Sequence, residues 1–212
     1  SIKEYFTYRE QGTADFDALV EYHQMNFVLL KRGEPDRVNT GVVSHNFFDV
    51  LGIRPIVGRA FTASDDTPGA AAGLLLSYTY WQNKFGGDPN IVGQVFEMND
   101  KPHTVVGVLP NVPHYPQEND VYMPVLAGPF RAAAERNIAQ NRRIFWALVV
   151  FGRLKAGVPR ERAAAGVEAI CGRFVKENPR NYRAGAGFTA PTLDVRGELT
   201  RRAGAILVNL VG

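Results

Sequence analysis

Apolar residues fall in short runs divided by glycine, proline and small polar residues. Ile2 to Gln11 reads as a short helix, with Tyr5, Phe6 and Tyr8 as its apolar area. Phe16 to Gln24 and Met25 to Lys31 read as two strands. Gly33-Glu34-Pro35-Asp36 is a strong hairpin turn, and Arg37 to Ser44 follows as a strand. Ser44 is placed to cap a short helix carrying Phe47, Phe48 and Leu51, which Gly52 ends as a left-handed cap. Ile53 to Phe61 is extended or loop-like. Thr62 to Ala70 is small, polar and turn-rich, so a lobe boundary is expected there.

Gly73 to Leu76 is a short buried strand. Ser77 caps a helix through Phe85, with Tyr78, Trp81 and Phe85 on one face. Gly86-Gly87-Asp88-Pro89 breaks it. Gly93 to Met98 and Lys101 to Leu109 are strands joined at Asn99-Asp100, a hairpin signal. A loop over Asn111 to Asp120 precedes a strand at Val121 to Val125. Gly128 to Arg143 is Ala- and Arg-rich and reads as partly helical. Ile144 to Leu154 is the most apolar strand. Pro159 then opens a helix to about Asn178, with Ala163, Val167, Ile170, Cys171 and Phe174 as its stripe, and Pro179 stops it. Gly187 to Val195 reads as a strand and a final helix begins at Glu198. The order is that of an α+β fold.

With 212 residues and 45% hydrophobic composition, the chain is neither disordered nor collagen-like, and it can bury a sizeable core. Its net charge of +3 does not by itself imply nucleic acid. Residues 1–106 carry 9 basic and 13 acidic side chains, and residues 107–212 carry 15 and 8. A solvated basic face explains the second half, with an anionic partner as the sharper reading. One cysteine excludes an intramolecular disulfide. The N-terminus has no signal-peptide pattern. After Arg201-Arg202, the run AGAILVNLVG is shorter than the ~20 residues that cross a bilayer. It reads as the last turns of a core helix or the opening of a membrane helix, and a start at Ser1 without Met agrees with a fragment.

Candidate chemistry is sparse. Cys171 lies within the helical stripe, two turns from any cap, so a core cysteine is expected rather than a reactive thiolate. His23, His45, His103 and His114 lack metal-ligand spacing. Asp65-Asp66 and Asp88 are candidate carboxylates in turns, where Asp more often caps. Ser44, Ser64 and Ser77 lack a nucleophile-elbow setting, and Gly86-Gly87 is not part of a phosphate loop. Trp81 and Trp146 read as core anchors, with a ligand-stacking surface as the rival. Arg136, Arg142 and Arg143 read as a solvated cluster, with a partner contact as the rival. No catalytic, cofactor-binding or metal-binding residue is assigned, no cofactor is expected, and substrate-contacting residues stay unassigned.

Three stretches together are specific: VNTGVVSHNFFDVLGIRPIVGRAFTASDD (38–66), LLLSYTYWQNKFGGDPNIVGQVFEMNDKPHTVVGVLPNV (74–112) and VYMPV (121–125). Their order and spacing resemble the periplasmic core domain of MacB-like ABC-transporter permeases, the group that includes FtsX-like permeases and their duplicated orphan relatives. Phe47-Phe48, Leu51-Gly52, Gly58-Arg59 and Phe61 match the first block of that pattern. Trp81, Phe85-Gly86-Gly87-Asp88-Pro89, Ile91-Val92-Gly93 and Val105-Val106-Gly107-Val108 match the second. The resemblance covers about residues 1–200.

The resemblance implies two lobes. One is a porter-like βαβ lobe of 1–60 plus 144–197, and the other is an inserted, hairpin-rich mixed α/β lobe of 61–143. Residues 198–212 would then begin a membrane-proximal helix. It implies a periplasmic domain of an inner-membrane protein, not an enzyme, that couples nucleotide-driven helix motion to movement outside the membrane for export or mechanotransmission. The partners implied are a second copy of the permease, a cytoplasmic ATPase and the membrane through flanking helices, with a periplasmic adaptor as a further candidate and no nucleic acid. Rival readings are a stand-alone extracytoplasmic ligand- or peptide-binding module and a soluble hydrolase.

Overall fold

A computed structural model describes residues 2–31, 34–113, 115–127, 148–177, 179, 182, 190 and 192–198. The expected helix over 128–143, residues 144–147 of the apolar strand, Trp146, the arginine cluster, His114 and the apolar C-terminal run lie outside the described residues. The chain divides into two compact units, Ser1–Lys155 and Ala156–Gly212.

The first unit opens with α1 (Ile2–Gln11), followed by β1 (Phe16–Leu30), β2 (Asp36–Val43), α2 (Phe47–Val50) and β3 (Val57–Gly58). Then come β4 (Gly73–Leu76), α3 (Tyr78–Phe85), β5 (Val95–Met98), β6 (Lys101–Val108), β7 (Val121–Pro124) and β8 (Val149–Leu154). The two strands expected between Phe16 and Lys31 are one strand of 15 residues. No turn residue interrupts it. Its apolar alternation changes phase near Gln24 because its halves bury opposite faces: Val20 and Tyr22 point to one side, Phe27 and Leu29 to the other.

β1 organises everything else. Tyr22 pairs with Val43 of β2 and with Val149 of β8, and Leu29 pairs with Asp36 of β2 and with Met98 of β5. A residue has two edges, so β8 and β5 share the edge of β1 opposite β2. The remaining ladders run β2–β7, β7–β4, β4–β6 and β6–β5. The pairings therefore close into a ring of six strands, which leaves fewer open edges than a flat sheet would. β8 extends from the first half of β1, and β3 lies along β6.

Two cores follow from the alternation of side chains. All six ring strands contribute to the inner one, with Phe27, Leu29, Val38, Val42, Leu74, Leu76, Phe96, Met98, Val105, Val108, Val121 and Met123, and α3 adds Tyr80 and Trp81. The outer one places Val20, Tyr22, Val43, Leu75 and Tyr122 beneath Phe47, Phe48 and Phe61. A register shift between Leu74 and Leu75 carries β6 past Val106, so Val105 and Val108 both face inward and Val106 packs outward. Full burial of each large apolar side chain contributes roughly 1.5–3 kcal/mol.

Several turns form as their residues dictate. Asn99 and Asp100 both adopt positive φ, 49° and 62°, the conformation a two-residue hairpin needs. Ser77 caps α3, its side chain accepting from the Tyr80 amide at 3.2 Å, and Gly86 ends the helix in the left-handed region. Ser44, however, does not cap α2. Its hydroxyl accepts the Glu21 amide at 2.9 Å, and Asn46 stands at the cap position without a side-chain bond. Ser44 is buried, and a buried amide without a partner is costlier than an uncapped single-turn helix.

In the second unit, α4 (Arg160–Glu177) starts directly after Pro159, and Ala163, Ile170, Cys171 and Phe174 are buried along one face. Val167, expected in that stripe, is half-buried. The strand expected over 187–195 is corrected at its end: residues 192–194 are irregular and 195–198 form a helical turn. Asp194 is the cause. Its carboxylate accepts the Arg196 amide at 3.1 Å and the Gly197 amide at 3.2 Å, a local bond that competes with a strand ladder. Among the described residues, no helix is long and apolar enough to cross a membrane.

Candidate functional site

The residues that carry the resemblance converge on three places in the first unit. At the outer face, Phe47 and Phe48 meet edge-on at 5.1 Å, Phe47 meets Phe151 at 5.3 Å, and Phe48 meets Tyr122 at 5.0 Å. These edge-to-face contacts fasten α2 onto β7 and β8.

The second place is the approach of β3 to β6. Val57 and Gly58 pair with Val108 and Gly107. Gly58 has φ of 71°, and a Cβ there would overlap the Val106 carbonyl oxygen. A Cβ on Gly107 would stand 2.7 Å from the Arg59 oxygen and 2.8 Å from the Val57 oxygen. Both positions need glycine because backbone meets backbone. Immediately after, the Arg59 guanidinium grips Asp65 through two bonds of 2.6 and 2.9 Å. The same carboxylate accepts from the Thr62 amide and hydroxyl, both at 2.7 Å, closing a capping box over Ala63–Asp66. The Arg59 bonds hold the Asp65 carboxyl well below its ordinary range, against the opposing effect of burial.

The third place is the end of α3. Trp81 donates its indole Nε1 to the Asp88 carbonyl at 2.9 Å, and the Asp88 carboxylate accepts from the Asn90 amide at 2.9 Å and Gln94 Nε2 at 3.3 Å. Trp81 is buried in the inner core, as expected of an anchor. Asp66 acts similarly: it accepts the His45 amide at 3.0 Å and the Leu126 amide at 2.7 Å, with His45 Nδ1 3.6 Å away. The three candidate carboxylates therefore serve as acceptors for turns and loop ends, in separate roles.

The remaining candidates are scattered. His23 is half-buried on β1, and His103 is buried on β6. The Ser64 hydroxyl shares a hydrogen bond with Thr62 Oγ1, and Cys171 is buried in α4. Among the described residues, no three His, Cys, Asp or Glu side chains gather to hold a metal ion.

Two polar clusters have no signature in the sequence. Asn119 is buried; its Oδ1 accepts from the Tyr22 hydroxyl at 3.2 Å and Gln24 Nε2 at 3.3 Å, and its Nδ2 lies 3.4 Å from the Tyr122 hydroxyl. Burial raises the pKa of both tyrosines, partly offset by the Asn119 bond. Glu21 is buried on β1 beside Tyr5 of α1, whose hydroxyl lies 3.4 Å from Ser44 Oγ. Asn119 and Tyr22 are 97 positions apart, so only folding reveals the pair.

Comparison with known proteins gives a consistent picture. The family of MacB-like periplasmic core domains matches residues 5–170. The periplasmic region of MacB from Actinobacillus actinomycetemcomitans is similar at TM-score 0.59 and 15% identity, over 83% of this chain and 73% of that one. The extracellular domain of the noncanonic ABC-type transporter YknZ from Gram-positive bacteria is similar at TM-score 0.58 and 12% identity, over 82% of each chain. A domain of a putative permease protein from Porphyromonas gingivalis reaches TM-score 0.53 at 15% identity, over 78% of this chain and 67% of that one. No curated protein matches the sequence. The matched family span takes in the aromatic clasp, the paired glycines and the turn carboxylates, and the chain belongs to the family of MacB-like periplasmic core domains of ABC-transporter permeases.

Proposed function

We propose that this domain works outside the membrane as a mechanical part of an ABC-transporter permease, coupling nucleotide-driven motion of membrane helices to movement on the periplasmic side. The observation that carries the reading is what the family residues do here. Phe47, Phe48, Gly58, Arg59, Gly107, Trp81 and Asp88 are spent on packing, close backbone approach and turn bonds. A body held in this way transmits displacement, and it needs no reacting group to do so. The domain is not an enzyme on this reading. Its partners are a second copy of the permease, a cytoplasmic ATPase and the membrane through flanking helices, with a periplasmic adaptor as a further candidate.

The two-lobed organisation belongs to this proposal. β1 pairing with β8 joins the segments assigned to the porter-like lobe, and the β4–β6–β5 ladders lie within 61–143. The two lobes would share the ring through the β2–β7 and β1–β5 ladders.

The test uses the full-length permease with its ATPase. Ile56 is 52% exposed, so a spin label on Ile56→Cys reports the distance between two copies. The distance distribution should shift between nucleotide-free and nucleotide-locked states. Identical distributions in both states would sink the proposal.

A further inference from the structure

The ring of strands has two thin ladders of two residue pairs each, β4–β7 and β1–β5. β1 and β2 pair over eight positions, from Tyr22↔Val43 to Leu29↔Asp36. β1 and β5 pair over two, Leu29↔Met98 and Leu30↔Glu97. Around that short ladder, Asn99 adds a clip: its amide donates to the Val28 carbonyl at 3.0 Å, and its Oδ1 accepts the Val28 amide at 2.8 Å. A Lys31–Glu97 ion pair of 2.6 Å also crosses the joint, with the lysine side chain 76% exposed. An exposed pair of that kind adds little.

Directly behind this joint sits His103. It pairs across the β5–β6 ladder with Phe96, which is fully buried in the inner core, so both side chains share the inner face. Phe27 of β1 meets the imidazole edge-on at 6.4 Å. The ring therefore stands between β1 and β5 on the inner side, and only 6% of the residue is exposed. Its Nδ1 donates to the Lys101 carbonyl at 2.9 Å when the imidazole is neutral, leaving Nε2 as the nitrogen that would take a proton. The Phe27 ring from β1 faces it, and Phe96 of β5 is its cross-strand partner. Lys101 on its own strand brings a positive charge, and Glu97 points to the opposite face of β5. Burial disfavours the charged imidazole, and the Lys101 charge adds to that effect against the Lys101 carbonyl bond.

We infer that the β1–β5 joint is an acid-labile seam: protonation of His103 parts β5 from β1 while the other ladders of the ring, the equally short β4–β7 included, stay formed. A cation set against the Phe27 ring is relieved most cheaply by wetting the two-pair ladder that holds the strand of Phe27 to β5. The seam is a property of this chain whether or not the transport reading holds.

Amide hydrogen exchange on the chain between pH 7.5 and 5 tests it, with rates divided by the intrinsic rate at each pH. The Val28 and Asn99 amides report the seam, and the Ser77 and Leu109 amides, bonded to Asp120 and Leu76, report the rest of the ring. One coupled proton changes the opening constant by up to about tenfold per pH unit below the ordinary histidine value of roughly 6.5. Expected is that rise at Val28 and Asn99 alone, and its loss in His103→Gln and His103→Phe. No rise, an equal rise at Ser77 and Leu109, or persistence in either folded variant would overturn the inference. If neither variant folds, the distribution of the rise in the unmodified chain decides.

Discussion

Three glycines allow a backbone penalty and a steric penalty to be measured apart. Gly52 has φ of 71° with nothing within 4 Å of a built Cβ, so Gly52→Ala adds only the left-handed cost, roughly 1–2 kcal/mol. Gly107 has ordinary φ, but its Cβ would press two backbone oxygens at 2.7 and 2.8 Å. Neither belongs to a flexible side chain, so β3 must shift, at roughly 1–3 kcal/mol for overpacking. Gly58 combines both, with φ of 71° and a Cβ on the Val106 oxygen, and Gly58→Ala should cost about 2–5 kcal/mol. For a chain of this size each kcal/mol moves Tm by about 2–4 °C. Urea unfolding followed by Trp fluorescence gives the order Gly58→Ala worst, Gly107→Ala next and Gly52→Ala mildest. If Gly58→Ala proved no worse than Gly52→Ala, the close approach of β3 and β6 would not exist as described.

Two further predictions concern ionisation. Asp65 has a folded-state pKa below its unfolded value near 3.9, so its contribution is present in full above that value and is lost progressively as pH falls from there through the lower folded-state value. Asp65→Asn should cost about 1–2 kcal/mol at pH 7, discounted because Arg59 is half-exposed, and the gap to the unmodified chain should narrow steadily as pH drops below about 4. A constant gap in acid denaturation curves would refute the assignment. Tyr122 runs the other way. Burial raises its pKa above the ordinary value near 10, so its neutral form stabilises the fold below that value and the contribution disappears as pH rises past it. Tyr122→Phe should flatten the loss of stability above about pH 10. An unchanged alkaline limb in that variant would count against the buried hydroxyl.

Local chemistry was legible from the chain alone. Asn99-Asp100 chose a hairpin, Ser77 a helix start, Gly86 a helix end, and the run Gly73 to Leu76 a strand buried on both faces. Each depends on φ preferences and hydrogen bonds among near neighbours, which a sequence displays directly. The motifs around Phe47, Arg59 and Trp81 were enough to mark the family. The residue partners of those motifs were not legible. The break at Gln24 vanished because a single strand faces two cores, and Ser44 left its helix to serve an amide 23 positions away. The closure of the ring at Leu29, the Asn119 cluster beneath Tyr22 and Tyr122, and the place of His103 behind Phe27 all join distant segments. Sequence order holds no record of such distances. They are set when buried polar groups and core volumes must be satisfied together, which happens only in the folded chain.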